Sequence, residues 1–208
     1  MNYIVFQQKM RSFPVFSIRE IEKQFPGFDT RRLVEWQEKG YIQKLRNCYY
    51  YFADQAIDQQ FRYYIANQLY RPSYVSLESA LAHYGFIPEG VFETISCTTL
   101  KSQRFETPAG TGTFVYHHLK RAMFFGYRLV SWKEYHYALA EPEKAIIDYL
   151  YLHPEVKATE DVEARRWNIF SIKEQIDTKK LAVYEKYIGS TALSRRLSVL
   201  KEMLDVKS

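Results

Sequence analysis

Apolar residues in the first fifty positions recur with helical spacing three times, and strand-like segments follow them. Residues 2–10 predict a first helix. Ser17 stands three residues before Glu20, which is the spacing of a capping box and predicts the start of a second helix. One face of that helix carries Ile18, Ile21 and Phe25. The chain therefore opens with two short helices.

A third helix is predicted from Thr30 to Lys39 and is closed by Gly40. At about 100° per residue, one face carries Thr30, Leu33, Val34 and Gln37. The opposite face carries Arg32, Glu35 and Lys39, with Arg31 and Trp36 on the flanks. Residues 41–45 and 48–52 predict two strands joined by a tight turn at 46–47. This order of elements predicts a winged helix-turn-helix in residues 1–53.

A winged helix of this kind is typical of proteins that bind duplex DNA. Its third helix fits the major groove, and its first turn, with Arg31 and Arg32, offers free N–H groups to phosphate. Glu35 would accept a hydrogen bond from a cytosine amino group or orient Arg32. The predicted contact residues are Thr30, Arg31, Arg32, Glu35, Lys39, Lys44, Arg46 and Asn47. The alternative is a protein-docking module, in which these charges form a solvated, salt-bridged face.

Beyond residue 53 the pattern changes to alternating strands and helices. Residues 54–70 predict a linking helix. Strands are predicted at 92–99, 103–107, 113–119, 124–132 and 135–139, with a hairpin loop at 108–112. Helices are predicted before Tyr84-Gly85, after Pro142 to residue 152, and near 171–175, 177–187 and 191–204. The expected class is α+β: a winged helix, a linking helix, and a mixed α/β domain at 71–208 with a helical tail.

The distribution of charge along the chain supports this division into two parts. The net charge is +5, and residues 1–53 contain nine Lys and Arg against five Asp and Glu. The remaining residues contain twenty against nineteen, so most of the excess lies in the predicted winged helix. Such an asymmetry favours an anionic partner at the N-terminal end.

Two segments of the second domain resemble the AbiEi family of antitoxins. Residues 72–81 read PSYVSLESAL, followed by Tyr84-Gly85 and Ile87-Pro88-Glu89, and residues 140–148 read AEPEKAIID. The resemblance covers residues 5–150. It implies an abortive-infection antitoxin of a type IV toxin–antitoxin system, which represses its operon by binding inverted repeats in double-stranded DNA and counters a nucleotidyltransferase-like toxin. The alternative is a DNA-binding regulator without a toxin partner.

The helical tail adds two expectations. Leu193, Leu197, Leu200 and Leu204 have 4-3-4 spacing, which predicts a seam that packs on the body or forms a dimer. A second basic surface is predicted from Lys179, Lys180, Lys186, Arg195, Arg196 and Lys201. This surface would meet a second DNA segment or an acidic toxin, or would simply be solvated.

The residues around Pro142 also invite comparison with metal-dependent nucleases, whose carboxylates converge on Mg²⁺. The simpler interpretation is a helix start, because Glu141 and Glu143 stabilise a first turn and Lys144 pairs with Asp148 at i,i+4. A nuclease is therefore only the remote alternative.

Other chemistry is not indicated. His117 and His118 would face opposite sides of a strand, and the loop at 110–112 lacks the lysine and helix of a P-loop. Cys48 and Cys97 are too few for a disulfide framework. We expect no signal peptide, and no run of about 20 apolar residues occurs in the sequence. We expect a cytoplasmic protein that is not an enzyme and that needs no metal, cofactor or membrane.

Overall fold

The protein, in a computed structural model, is described at residues 2–88, 90, 92–108 and 110–206. It combines helices and sheets and belongs to the α+β class. Its buried apolar residues form two cores: one lies within residues 6–52, and the larger spans most of the remaining chain. Residues 2–53 are called the N-terminal unit below, and residues 59–206 the body.

The N-terminal unit contains three helices and a three-stranded antiparallel sheet. Its elements are α1 (Tyr3–Met10), β1 (Phe16–Ser17), α2 (Ile18–Gln24), α3 (Arg31–Glu38), β2 (Ile42–Arg46) and β3 (Tyr49–Phe52). The strand order is β1-β3-β2. The capping box at the start of α2 is confirmed: the Ser17 hydroxyl accepts from the Glu20 N–H, and the Glu20 carboxylate accepts from the Ser17 N–H at 2.7 Å.

The face of α3 that residue spacing grouped together, Thr30, Leu33, Val34 and Gln37, is only partly buried. Leu33 and Trp36 are buried, whereas Val34 is 55% exposed and points to solvent. The Trp36 ring packs against two other aromatic rings, with centroids 4.5 Å from Phe6 and 5.8 Å from Phe28. Because these contacts bury Trp36, they set the orientation of α3 so that Val34 faces solvent. The exposed face of α3 consequently differs from the one that residue spacing predicted.

The body is built on a six-stranded mixed sheet of order β6-β7-β5-β4-β9-β8. Its strands are β4 (Ser73–Val75), β5 (Glu93–Thr98), β6 (Gln103–Glu106), β7 (Thr113–His118), β8 (Tyr127–Trp132) and β9 (Tyr135–Ala140). Its helices are α4 (Gln59–Leu69), α5 (Leu77–His83), α6 (Pro142–Leu152), α7 (Thr159–Ala164), α8 (Ile169–Gln175), α9 (Thr178–Ile188) and α10 (Thr191–Val206). Strand pairs β4/β9 and β5/β7 are parallel, and the other pairs are antiparallel.

Most predicted elements of the body are confirmed within a few residues, including the β6–β7 hairpin and the helices α6, α8, α9 and α10. Strand β4 and helix α7 were missed, because each is too short to show a period. Glu89 of the family-like motif and Ala109 of the hairpin loop lie outside the described residues.

The linking helix is a core element. In α4, Phe61, Ile65 and Ala66 are completely buried, and the helix contacts β4, β5 and β9. The hairpin β2–β3 is likewise packed on both faces: Tyr50 and Phe52 belong to the N-terminal core, whereas Leu45 and Tyr51 belong to the core of the body. The two parts therefore meet through apolar packing.

The leucine seam of the tail faces the body. Leu193, Leu197, Leu200 and Leu204 are all buried, and α10 contacts α6, α7 and α8. Of the two alternatives for this seam, packing on the body and formation of a dimer, the structure has the first. Among the described helices, none combines the length and the apolar character needed to cross a membrane.

Candidate nucleic-acid interface

Helix α3 presents an exposed face over two turns. Its buried side chains, Leu33 and Trp36, fix the orientation of the helix on the aromatic core. Arg31 stands at the first position of the helix, and its side chain is 88% exposed. Because the core holds the opposite side of the helix, these outward positions are available to a partner.

The charges on this face are balanced by acidic neighbours. The Arg31 Nε lies 2.9 Å from an Asp29 carboxylate oxygen, and an Arg32 Nη lies 3.6 Å from Glu35. The hydrogen bond from the Arg31 side chain lowers the pKa of Asp29 below its ordinary value. Thr30 is the N-cap residue but makes no side-chain cap, since Asp29 accepts from the Arg31 N–H instead. Partner phosphates would have to displace these weak, solvent-exposed pairs.

Helix α2 contributes two basic residues that were not among the predicted contact residues. Arg19 and Lys23 are exposed, one turn apart, and border an open groove of about 830 Å³ between α2 and the turn of the β2–β3 hairpin. Cys48, also exposed, borders the same groove from the hairpin side. Arg19 and Lys23 have i,i+4 spacing on a helix, and this spacing could have predicted that they share one face.

The hairpin is less free than a wing that projects into solvent. The Arg46 guanidinium carbon lies 3.4 Å from the centroid of Phe105, a ring of β6 in the body. Lys44 is half-buried, while Asn47 is exposed at the turn and Lys39 is exposed at the end of α3. Of the predicted contact residues, Arg46 thus has a partner within the chain that residue spacing could not predict.

The predicted second basic surface is partly neutralised. Lys180 lies 2.9 Å from Glu141 and 3.5 Å from Glu143. Lys201 lies 2.6 Å from Glu185, and Arg196 donates to the Leu150 carbonyl at 2.7 Å. The three remaining members are exposed: Lys179, Lys186 and Arg195.

A buried polar network joins the two segments that carry the family resemblance. Lys144 and Asp148 form an ion pair that is completely buried. Asp148 accepts hydrogen bonds at 2.8 Å from the hydroxyls of Tyr74 and Ser76, and the Lys144 ammonium donates to the Tyr74 hydroxyl at 2.8 Å. Burial raises the pKa of the adjacent Cys97 thiol well above its ordinary value, and Asp148 adds to the shift.

This network is closed to substrates. The Lys144 and Asp148 side chains have no exposed surface, and Glu143 is 3% exposed and accepts from the Asp177 N–H at 2.8 Å. In the part of the chain that the structure describes, no group of three or more His, Cys, Asp or Glu side chains could hold a metal ion. The pair is therefore a structural element of α6 in this arrangement.

Comparisons with known proteins give no match, either to a protein-family model or to a curated protein. The relationship to AbiEi antitoxins therefore rests on the two sequence motifs alone and stays a prediction.

Proposed function

We propose that this protein is a DNA-binding regulator whose N-terminal unit is a winged helix-turn-helix, and that it works in the cytoplasm. One observation carries the proposal. The first turn of α3 carries Arg31, whose side chain is 88% exposed, and Arg32, whose side chain is 40% exposed, at a helix N-terminus. A helix N-terminus with flanking arginines favours phosphate oxygens, and arginine also recognises guanine edges in the major groove.

Helix α2 adds exposed positive charge to the N-terminal unit. Arg19 and Lys23 carry two further exposed positive charges in the element that precedes α3 in the chain. They suit contacts to the phosphate backbone, which position a protein on DNA without reading sequence. Arg46 has a smaller role in this proposal, because its guanidinium already packs on Phe105.

A salt titration tests the proposal. Binding of a duplex from the region upstream of the gene should weaken steeply with salt, and each phosphate contact removed should lower the log–log slope by about one unit. Arg31→Ala combined with Arg32→Ala should therefore flatten the slope by up to about two units. Lys120→Ala combined with Arg121→Ala, an equal loss of two charges on exposed residues of the body, is the control. No binding by folded protein at low salt would refute the proposal.

A second candidate function is that of an antitoxin. Its support is the family resemblance, together with the finding that residues of the two motif segments, among them Tyr74, Ser76, Lys144 and Asp148, meet in one buried network. If the neighbouring gene encodes a nucleotidyltransferase-like toxin, co-expression of this chain should restore growth.

The Arg31→Ala, Arg32→Ala variant separates the two candidate functions. It should lose DNA binding and still restore growth, since the motif segments lie in the body. Loss of rescue at an unchanged protein level would contradict this division of labour.

A further inference from the structure

The six-stranded sheet ends at β6 on one side and at β8 on the other, and the two edge strands differ in character. At the β6 edge, the exposed residues are polar or charged, namely Gln103, Arg104 and Glu106, and Phe105 lies under Arg46 of the hairpin. At the β8 edge, Arg128, Leu129 and Ser131 are exposed, and Leu129 is 69% exposed. An open edge strand presents unpaired main-chain groups to any strand that can pair with it.

The ladder with β9 determines which main-chain groups of β8 are free. The Glu141 N–H donates to the Gly126 carbonyl at 2.9 Å, just beyond the first pair of the β8–β9 ladder. Since hydrogen-bonded pairs alternate along an antiparallel ladder, the main-chain groups of Tyr127, Leu129 and Ser131 point away from β9. Within the described residues, no other segment bonds to these three main-chain positions.

Apolar side chains surround this edge. Tyr127 is 39% exposed and lies on the same face of the sheet as Leu129. The neighbouring helix α9 adds Val183 and Tyr187, which are 63% and 66% exposed. The Tyr187 ring packs against the ring of Phe125, with centroids 4.9 Å apart, and Phe125 lies two residues before the start of β8. Exposed apolar groups beside an open strand edge mark an association surface.

We infer that β8 pairs antiparallel with β8 of a second copy of this chain, about a two-fold axis at Leu129. The free positions are symmetric about that residue, so Tyr127 of each copy lies opposite Ser131 of the other. Arg128 then lies opposite Val130, so no like charges face each other directly across the axis. The pairing uses all three free main-chain positions of each edge and buries two Leu129 side chains against each other.

Disulfide trapping tests the register of this pairing. In a Cys48→Ser background, which removes the exposed native thiol, Leu129→Cys places two thiols across the axis. Their Cα atoms would be about 5.5 Å apart, within the range of a disulfide. Ser131→Cys is the matched control, because its copies would be separated by about 14 Å.

Mild oxidation should link most of the Leu129→Cys protein into dimers and little of the Ser131→Cys protein. Equal linkage of both variants, or none of the Leu129→Cys protein, would overturn the inference.

Sedimentation equilibrium tests the association itself. The unmodified chain should show a concentration-dependent monomer–dimer equilibrium, and Leu129→Lys should weaken it at least about tenfold. Phe170→Lys is the matched control, since Phe170 is 71% exposed on α8 and should leave the equilibrium unchanged. A chain that stays monomeric throughout the micromolar range, or a Leu129→Lys dimer as stable as the unmodified one, would contradict the inference. Neither assay contains DNA, so a failure of the DNA-binding proposal is seen separately.

Discussion

Two ion pairs with similar helical spacing have opposite environments in this protein. Arg32 and Glu35 on α3 are three residues apart, lie 3.6 Å from each other, and have side chains that are 40% and 51% exposed. Lys144 and Asp148 on α6 are four residues apart and completely buried. Both pairs are neighbours on a helix surface, but only the first meets solvent. Spacing therefore predicts which charges lie side by side, while packing decides whether a partner can reach them.

The difference comes from what covers each helix. Helix α3 buries Leu33 and Trp36 against its own small unit, whereas α6 contacts α5, α9, α10 and β9. Gly126 makes room for the Lys144 side chain, because a Cβ at position 126 would lie 3.0 Å from its Cγ. Hydrogen bonds from Tyr74 and Ser76 to Asp148 offset part of the free energy that is lost when the Asp148 carboxylate is removed from water.

The largest expected effect comes from breaking the buried pair. Asp148→Ala leaves the Lys144 ammonium buried without its carboxylate and should lower the free energy of unfolding by about 3–5 kcal/mol. Replacing both charges, with Lys144→Met and Asp148→Leu, should recover much of this loss. Chemical denaturation measures both. A loss below about 1 kcal/mol for Asp148→Ala would show that the pair is not buried as described.

A glycine substitution tests the packing around Lys144. Gly126→Ala places a side chain on a residue with a positive φ of 70° and pushes its Cβ against the Lys144 side chain. Gly85→Ala also places a side chain on a residue with a positive φ, of 69°, but its Cβ would have no neighbour within 4 Å. The conformational cost, about 1–2 kcal/mol, should be shared by both variants. Gly126→Ala should lose about 1–3 kcal/mol more through overpacking. Equal thermal stability of the two variants would remove this explanation.

The hairpin contact with the body should have an intermediate effect. Arg46→Ala removes the interaction with Phe105 and should reduce stability by about 0.5–2 kcal/mol. The salt slope of DNA binding should stay unchanged, since Arg46 is engaged within the chain. If the slope falls by about one unit and stability does not change, Arg46 contacts phosphate and the hairpin acts as a free wing.

The exposed pair should affect stability least. Glu35→Gln should change the free energy of unfolding by less than about 1 kcal/mol. It should also strengthen DNA binding, because a negative charge beside Arg32 is removed. Weaker binding to one sequence with unchanged binding to others would instead indicate that Glu35 reads a cytosine.

Features that depend on local residue spacing could be predicted from the sequence. The environment of each side chain in the folded protein could not. The capping box at Ser17, the β6–β7 hairpin and the α6 start at Pro142 follow from local spacing. The orientation of α3 was missed because it depends on rings from α1 and the loop before α3, above all Phe6 and Phe28. The partner of Arg46 was missed for the same reason, since Phe105 lies more than fifty residues away in the chain.

The candidate interface shows the same limit. Residue position predicted Arg31 and Arg32 in the first turn of α3, and they lie there, with the Arg31 side chain 88% exposed and the Arg32 side chain 40% exposed. The groove beside Arg19 and Lys23, in contrast, depends on how α2 packs against the hairpin. Periodicity alone contains no information about that packing.

Arginine footprinting tests whether DNA contacts the first turn of α3. The full chain is labelled with phenylglyoxal, alone and in saturating complex with upstream duplex DNA, and labelling of each arginine is measured by mass spectrometry. We expect DNA to protect Arg31, Arg32 and Arg19 and to leave Arg121 in the body unprotected. Unchanged labelling of Arg31 and Arg32 while DNA is bound would contradict it, because the contact would then lie elsewhere on the protein.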